Sequence, residues 1–189
     1  MEPLSASDIR GAFDDLAERL DSAGVSARIY VAGGAAMALV YDAERLTRDV
    51  DASILAGYDE VMSAVHEVAR ERGWPTTWLN EQATMYMPPQ NERIGAIVYE
   101  RASLSVVAAS IEHMIAMKAR SARRTDQSDF RRLLALNRID SPDAVTEIVS
   151  QVFPGEALGP RHLRWIEEMT GSLDDDAHDA RAAVRDRNP

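Results

Sequence analysis

The chain has no cysteine. That excludes disulfides, thiolate nucleophiles and zinc sites built on sulfur, and it fits a reducing compartment. Lysine is nearly missing as well: of 21 basic side chains, 20 are arginine and one, Lys118, is lysine. Against that background the one compact ammonium stands out, because an ammonium suits phosphate in a way that a planar guanidinium does not reproduce. Aromatic residues make up only 6%, so Trp74, Trp78 and Tyr86, near a proline-marked bend, are expected to be core anchors rather than a platform for stacked bases. The four histidines, His66, His113, His162 and His178, show no metal-ligand spacing and no paired nucleophile, and are read as surface or packing residues. No window approaches the roughly 18 apolar residues of a membrane span. The opening MEPLSASDIRGAF has neither a basic n-region nor an apolar h-region, which points to a cytoplasmic protein that does not enter membranes.

What is present is ordinary globular material. Apolar residues are 46% and charged residues 28% of 189, enough to bury a normal core in one domain of mixed composition. The formal charge of −10 argues against a protein that coats nucleic acid through its overall field. Its distribution weakens that argument. Residues 118–138 hold Lys118, Arg120, Arg123, Arg124, Arg131, Arg132 and Arg138 against Asp126 and Asp129 alone. The segment is either a local basic patch or a solvated arginine-rich helix face.

Periodicity organises the rest. Ser5 or Ser7 caps a first helix with Ile9, Phe13, Leu16 and Leu20 at helical spacing, ended by Gly24. Residues 28–32 read as a strand running into Gly33-Gly34 and a short apolar helix, AAMALVYD. DVDASIL (49–55) reads as an alternating strand, and 58–72 as a helix stopped by Gly73. A helix is expected at 80–86 before a Pro88-Pro89 break. GAIVYE (95–100) and SLSVVA (103–108) read as two strands. Helices follow at 111–122, about 127–137, and from the Ser141-Pro142-Asp143 cap to Phe153. The alternation predicts an α/β (α+β) fold with a sheet covered by helices. Its expected parts are a core over 1–110, a helical part over 111–170 and a frayed polar tail over 171–189.

Asp49 and Asp51 lie two apart on the expected strand, so both carboxylates share a face. A pair of carboxylates on a rigid strand suits Mg2+ (or Mn2+), which usually takes one or two carboxylates plus substrate phosphates. A surface strand with outward acids is the plain alternative. Gly33-Gly34, between strand and helix, adds backbone amides and the absence of Cβ atoms where phosphate could approach. A simple tight turn is the alternative there.

The combined string AGGAAMALVYDAERLTRDVDASI resembles the first motif of the DNA polymerase β nucleotidyltransferase superfamily: a glycine turn, a short helix, then Asp-x-Asp. Arg45, Thr47, Asp49 and Asp51, followed by IEHMIAMKARSARRTDQSDFRRLLA, resemble the AbiEii-type toxin nucleotidyltransferases and their minimal relatives, which carry a helical lysine and then a basic-Asp-x-x-Asp turn. The resemblance covers roughly residues 28–135 and implies a small mixed nucleotidyltransferase-type sheet with a helical C-terminal part. It further implies metal-dependent transfer of a nucleoside monophosphate from an NTP, with Asp49, Asp51, Lys118, Asp126 and Asp129 catalytic, and Gly33, Gly34, Arg45, Thr47, Arg120 and Arg124 on the substrate. A tRNA 3′ end or other RNA as acceptor, and an antitoxin protein as partner, come from the same resemblance.

Two departures stand out. Many members of the superfamily place a third metal carboxylate on a later strand, and SLSVVA has none; Asp126 or Asp129 replaces it, or simply caps a helix. Thr125 occupies the basic position before Asp126, with Arg123 and Arg124 beside it. These departures leave room for a non-catalytic nucleotide- or protein-binding module, and for a protein or small molecule as acceptor. Finally, the toxin-like relatives carry a phosphorylatable Ser or Thr where Thr47 stands. Thr47 is therefore either a regulatory site or a β-branched residue that starts the strand.

Overall fold

The computed structural model describes residues 2–86 and 95–171. The expected Pro88-Pro89 break and all but the first residue of the polar tail lie outside the described residues. The chain forms two compact units, the first ending at Ser110 and the second starting at Ile111.

The first unit is a five-stranded mixed sheet with helices. Helix α1 (Ala6–Ser22) starts where Ser5 and Asp8 bond reciprocally, the Ser5 side chain accepting from the Asp8 N–H and the Asp8 carboxylate from the Ser5 N–H. This capping box satisfies two of the helix's orphan donors. Ser5→Ala is expected to lower stability by about 1 kcal/mol, read as a shift in the denaturation midpoint. Ile9, Phe13, Leu16 and Leu20 are all buried, as their spacing predicts.

Strand β1 (Ala27–Val31) leads into α2 (Gly33–Ala36), which widens into a π-helical stretch over Met37–Tyr41. Strand β2 (Val50–Ala56), helix α3 (Tyr58–Arg72), strand β3 (Leu79–Asn80), a 3-10 turn (Gln82–Tyr86) and strands β4 (Ile97–Glu100) and β5 (Leu104–Ala108) complete the unit. The strand order is β3-β2-β1-β5-β4. Strand β1 is antiparallel to β2 and parallel to β5, β2 is parallel to β3, and β4 is antiparallel to β5.

Helices α1 and α3 are tied together by Arg72–Asp15 at 2.6 Å and by Arg19 with Glu71. Trp78 is fully buried and its indole N–H donates to the Val65 carbonyl at 3.1 Å; it is a core anchor, as read from the sequence. At the far edge the Tyr99 hydroxyl donates to Asp14 at 2.9 Å. Burial and that carboxylate together push its pKa up to about 12.

Three boundaries differ from the sequence reading. Strand β2 begins at Val50, so Asp49 sits in the bend just before it. The bend is tied elsewhere: Thr47 pairs through its backbone with Leu4, at 2.6 and 2.9 Å. The expected helix over 80–86 is instead the two-residue β3 followed by the 3-10 turn, because Leu79 and Asn80 pair with Val50 and Asp51. The apolar helix starts two residues early, at Gly33.

The second unit contains α4 (Ile111–Ser121), a 3-10 turn (Arg124–Asp126), α5 (Gln127–Asn137), α6 (Pro142–Val152) and helical residues 160–171, labelled α7. Ser141 caps α6 through its side chain, ahead of the proline. Its core includes Met114, Phe130, Leu133, Val145, Val149 and Phe153, so these helices bury their apolar faces among themselves. Among the described residues no helix is long and apolar enough to cross a membrane.

Candidate functional site

The first unit brings Gly33, Gly34, Thr47, Asp49 and Asp51 together. Gly33 has φ +60, a conformation that L residues with a side chain adopt at a cost. A Cβ there would collide with the Asp51 carboxylate, and its Cγ would lie at 3.3 Å. A Cβ on Gly34 would collide with the Thr47 hydroxyl. The space opened by the two glycines is thus taken by side chains of the acidic strand and of the bend before it. Gly33→Ala is expected to displace Asp51. It should cost about 1–2 kcal/mol in backbone strain and, if transfer depends on that carboxylate, about a hundredfold in rate, read by denaturation and by nucleotide transfer in parallel.

Thr47 is 7% exposed, and its hydroxyl donates to the Asp49 backbone carbonyl at 3.0 Å. The threonine therefore holds the bend that carries Asp49. A phosphate on this hydroxyl would have to displace both the bond and the contact with Gly34. Arg45 is half-buried and its guanidinium donates to the Leu46 carbonyl.

One residue the sequence reading passed over joins this group. Asn80, on β3, lies in register with Asp51 and donates from Nδ2 to Asp49 Oδ2 at 3.3 Å. The only local signal for it is an Asn two residues before Gln82, the spacing of an Asx turn.

Asp49 and Asp51 form an all-oxygen donor pair of the kind that suits a hard divalent cation, and the cradle at Gly33 that a methyl group would fill seats one of them. The pair fits Mg2+ or Mn2+. Among the described residues no group of three or more His, Asp or Glu side chains is arranged to hold a metal ion.

The second unit brings Lys118, Asp126 and Asp129 together. Lys118 is 3% exposed and its ammonium donates to Asp126 at 2.9 Å and to Asp129, also 3% exposed, at 3.0 Å. Ser121, also unsuspected from the sequence, lies 2.9 Å from the other Asp126 oxygen. Asp126 occupies the N-cap position of α5 but makes no capping bond through its side chain. The capping explanation for this acid is set aside: its carboxylate is turned to Lys118 and Ser121. Lys118 can reach both acids because α4 ends at Ser121 and Ala122, with φ +43, turns the chain back.

Arg120 lies on the same helix but stacks on the Phe153 ring at 4.2 Å and pairs with Glu156. Arg124 is exposed on the 3-10 turn, beside exposed Arg123 and Thr125. His66 is exposed, His113 packs edge-on against Phe153 at 5.8 Å and His162 accepts from the Gly159 N–H, while His178 lies outside the described residues.

Neither a curated protein nor a solved structure matches the chain. A family model does: that of the nucleotidyltransferases of unknown function (DUF6036), over residues 9–153. The match spans the glycine turn, the Asp-x-Asp pair, Asn80 and the Lys118 cluster, and on it the chain belongs to this nucleotidyltransferase family.

Proposed function

We propose that the chain is a metal-dependent nucleotidyltransferase that moves a nucleoside monophosphate from an NTP to a hydroxyl-bearing acceptor, in the manner of the AbiEii-type toxins it resembles. The observation that carries this reading is the seating of the Asp51 carboxylate against left-handed Gly33, next to Asp49. Glycine adopts that conformation freely, and its missing Cβ leaves the room that the Asp51 carboxylate fills.

In this reading Asp49 and Asp51 hold the metal. When bound, Mg2+ or Mn2+ supplies neutralisation of the charge that builds on the α-phosphate and the departing pyrophosphate. Thr47 and Gly33 keep the acids in place, and the amides of the glycine turn steady the triphosphate. The acceptor oxygen bonds to the α-phosphorus as the bond to pyrophosphate breaks, and its proton leaves to water. The resemblance also makes Lys118, Asp126 and Asp129 catalytic; within the second unit the Lys118 ammonium is held by both carboxylates.

An RNA acceptor such as the tRNA 3′ end, with an antitoxin as regulatory partner, is supported by the resemblance and by the exposed Arg123 and Arg124 on the turn before α5. The second reading, a non-catalytic nucleotide-binding module, is favoured by the neutral Asn80 in register with Asp51, a place where a third acid could stand.

The test is to follow radiolabel from each α-labelled NTP, with Mg2+ present, onto tRNA, onto protein and onto small hydroxyl compounds. Label on tRNA supports the toxin-like reading, and label on protein or a small molecule redirects the acceptor. Nucleotide binding without transfer supports the second reading.

A further inference from the structure

We propose that Asn80 is a positioning residue for the acidic pair. The inference deepens the metal-dependent reading above and rests on it. The Gln82 backbone N–H donates to Asn80 Oδ1 at 3.0 Å. That bond settles which end of the amide is oxygen, so the group facing Asp49 is the Nδ2 donor, 3.3 Å from Asp49 Oδ2. Asn80 also sits beside Asp51 on the adjoining strand.

One side chain therefore links the 3-10 turn, β3 and the bend before β2. Asp49 needs such a link, because it lies outside the strand and lacks the rigidity that the ladder gives Asp51. Thr47 fixes its backbone through the carbonyl; Asn80 fixes its carboxylate. With one oxygen held by an N–H, the carboxylate presents the other in a set orientation.

Partners that orient metal-binding carboxylates change metal affinity or activity by about tenfold to a hundredfold when removed. The experiment measures protein-bound Mn2+ by electron paramagnetic resonance on the full chain, with a non-hydrolysable NTP analogue present, for the wild type, Asp49→Ala, Asn80→Ala and Asn80→Ser, with thermal midpoints alongside. Asn80→Ala removes both bonds. Asn80→Ser keeps a short oxygen that can accept from Gln82 but loses the amide that reaches Asp49, so it retains the turn if Asn80→Ala does not fold.

The expected result is Mn2+ binding that is lost in Asp49→Ala and weakened about tenfold or more in Asn80→Ser, with that variant's midpoint close to wild type. Mn2+ affinity unchanged in Asn80→Ser, while Asp49→Ala still abolishes binding, overturns the role of Asn80 and leaves the metal reading standing. Absence of Mn2+ binding in the wild type, or equal binding in Asp49→Ala, overturns the metal reading and this proposal with it.

Discussion

Lys118→Met is expected to destabilise the chain by about 3–5 kcal/mol, the range seen when one partner of a buried ion pair is removed. The ammonium is 3% exposed and lies 2.9 and 3.0 Å from two carboxylates. Without it, Asp129, itself 3% exposed, keeps a charge in a place that water does not reach. Asp126 suffers less, since its side chain is 20% exposed and Ser121 remains beside it. Asp129→Ala should therefore cost more than Asp126→Ala.

Lys118→Arg is not expected to rescue. A guanidinium is broader than an ammonium, its donors form a planar fork, and Lys118 itself is 3% exposed. Replacing all three charges together, as Lys118→Met with Asp126→Asn and Asp129→Asn, should recover much of the loss, because neutral groups no longer need the ion that solvated them. Denaturant titrations of the wild type and the five variants check this. A cost below about 1 kcal/mol for Lys118→Met, the level of an exposed pair, would sink the buried-cluster interpretation. If Lys118→Met instead keeps its stability and loses nucleotide transfer, the lysine acts in the chemistry rather than in the fold.

The cluster marks the limit of what the sequence could say. Lys118, Asp126 and Asp129 were legible as a motif, and so was the unusual status of the one lysine. That they close on one another was not, because eight and eleven residues separate lysine from acids across a corner made by Ala122 at φ +43, a conformation no pattern of apolar residues signals. The helices over 58–72, 111–121 and 127–137 were legible almost to the residue, since each carries an apolar stripe and the first ends at Gly73. Strand β3 was not. Two residues carry no period, and Leu79 and Asn80 become a strand only because the edge of β2 is there to pair with them. Asn80 was lost with it. Likewise Asp49 and Asp51 read as equals on one strand, whereas Asp51 sits on the ladder and Asp49 hangs on Thr47 and Asn80.

That inequality shapes the other large effect, on the acids themselves. Asp49→Ala and Asp51→Ala should each abolish nucleotide transfer. A metal supplies several kcal/mol of charge stabilisation in the transition state, and losing it corresponds to a rate loss on the order of a thousandfold or more, at about 1.4 kcal/mol per tenfold. Stability should change little, because both residues are only half-buried. The conservative replacements separate the two positions. Asp51→Glu adds a methylene where even a Cβ on Gly33 would collide with the existing carboxylate, so it should fail to restore activity and should also strain the turn. Asp49→Glu, in a bend outside the ladder, has more freedom to readjust and should keep measurable activity with weaker metal binding. Transfer of α-phosphate label under Mg2+, run beside thermal denaturation, measures both halves. Full transfer by a folded Asp51→Ala protein would remove the acids from the chemistry, and equal activity of the two glutamate variants would show that Gly33 does not confine Asp51.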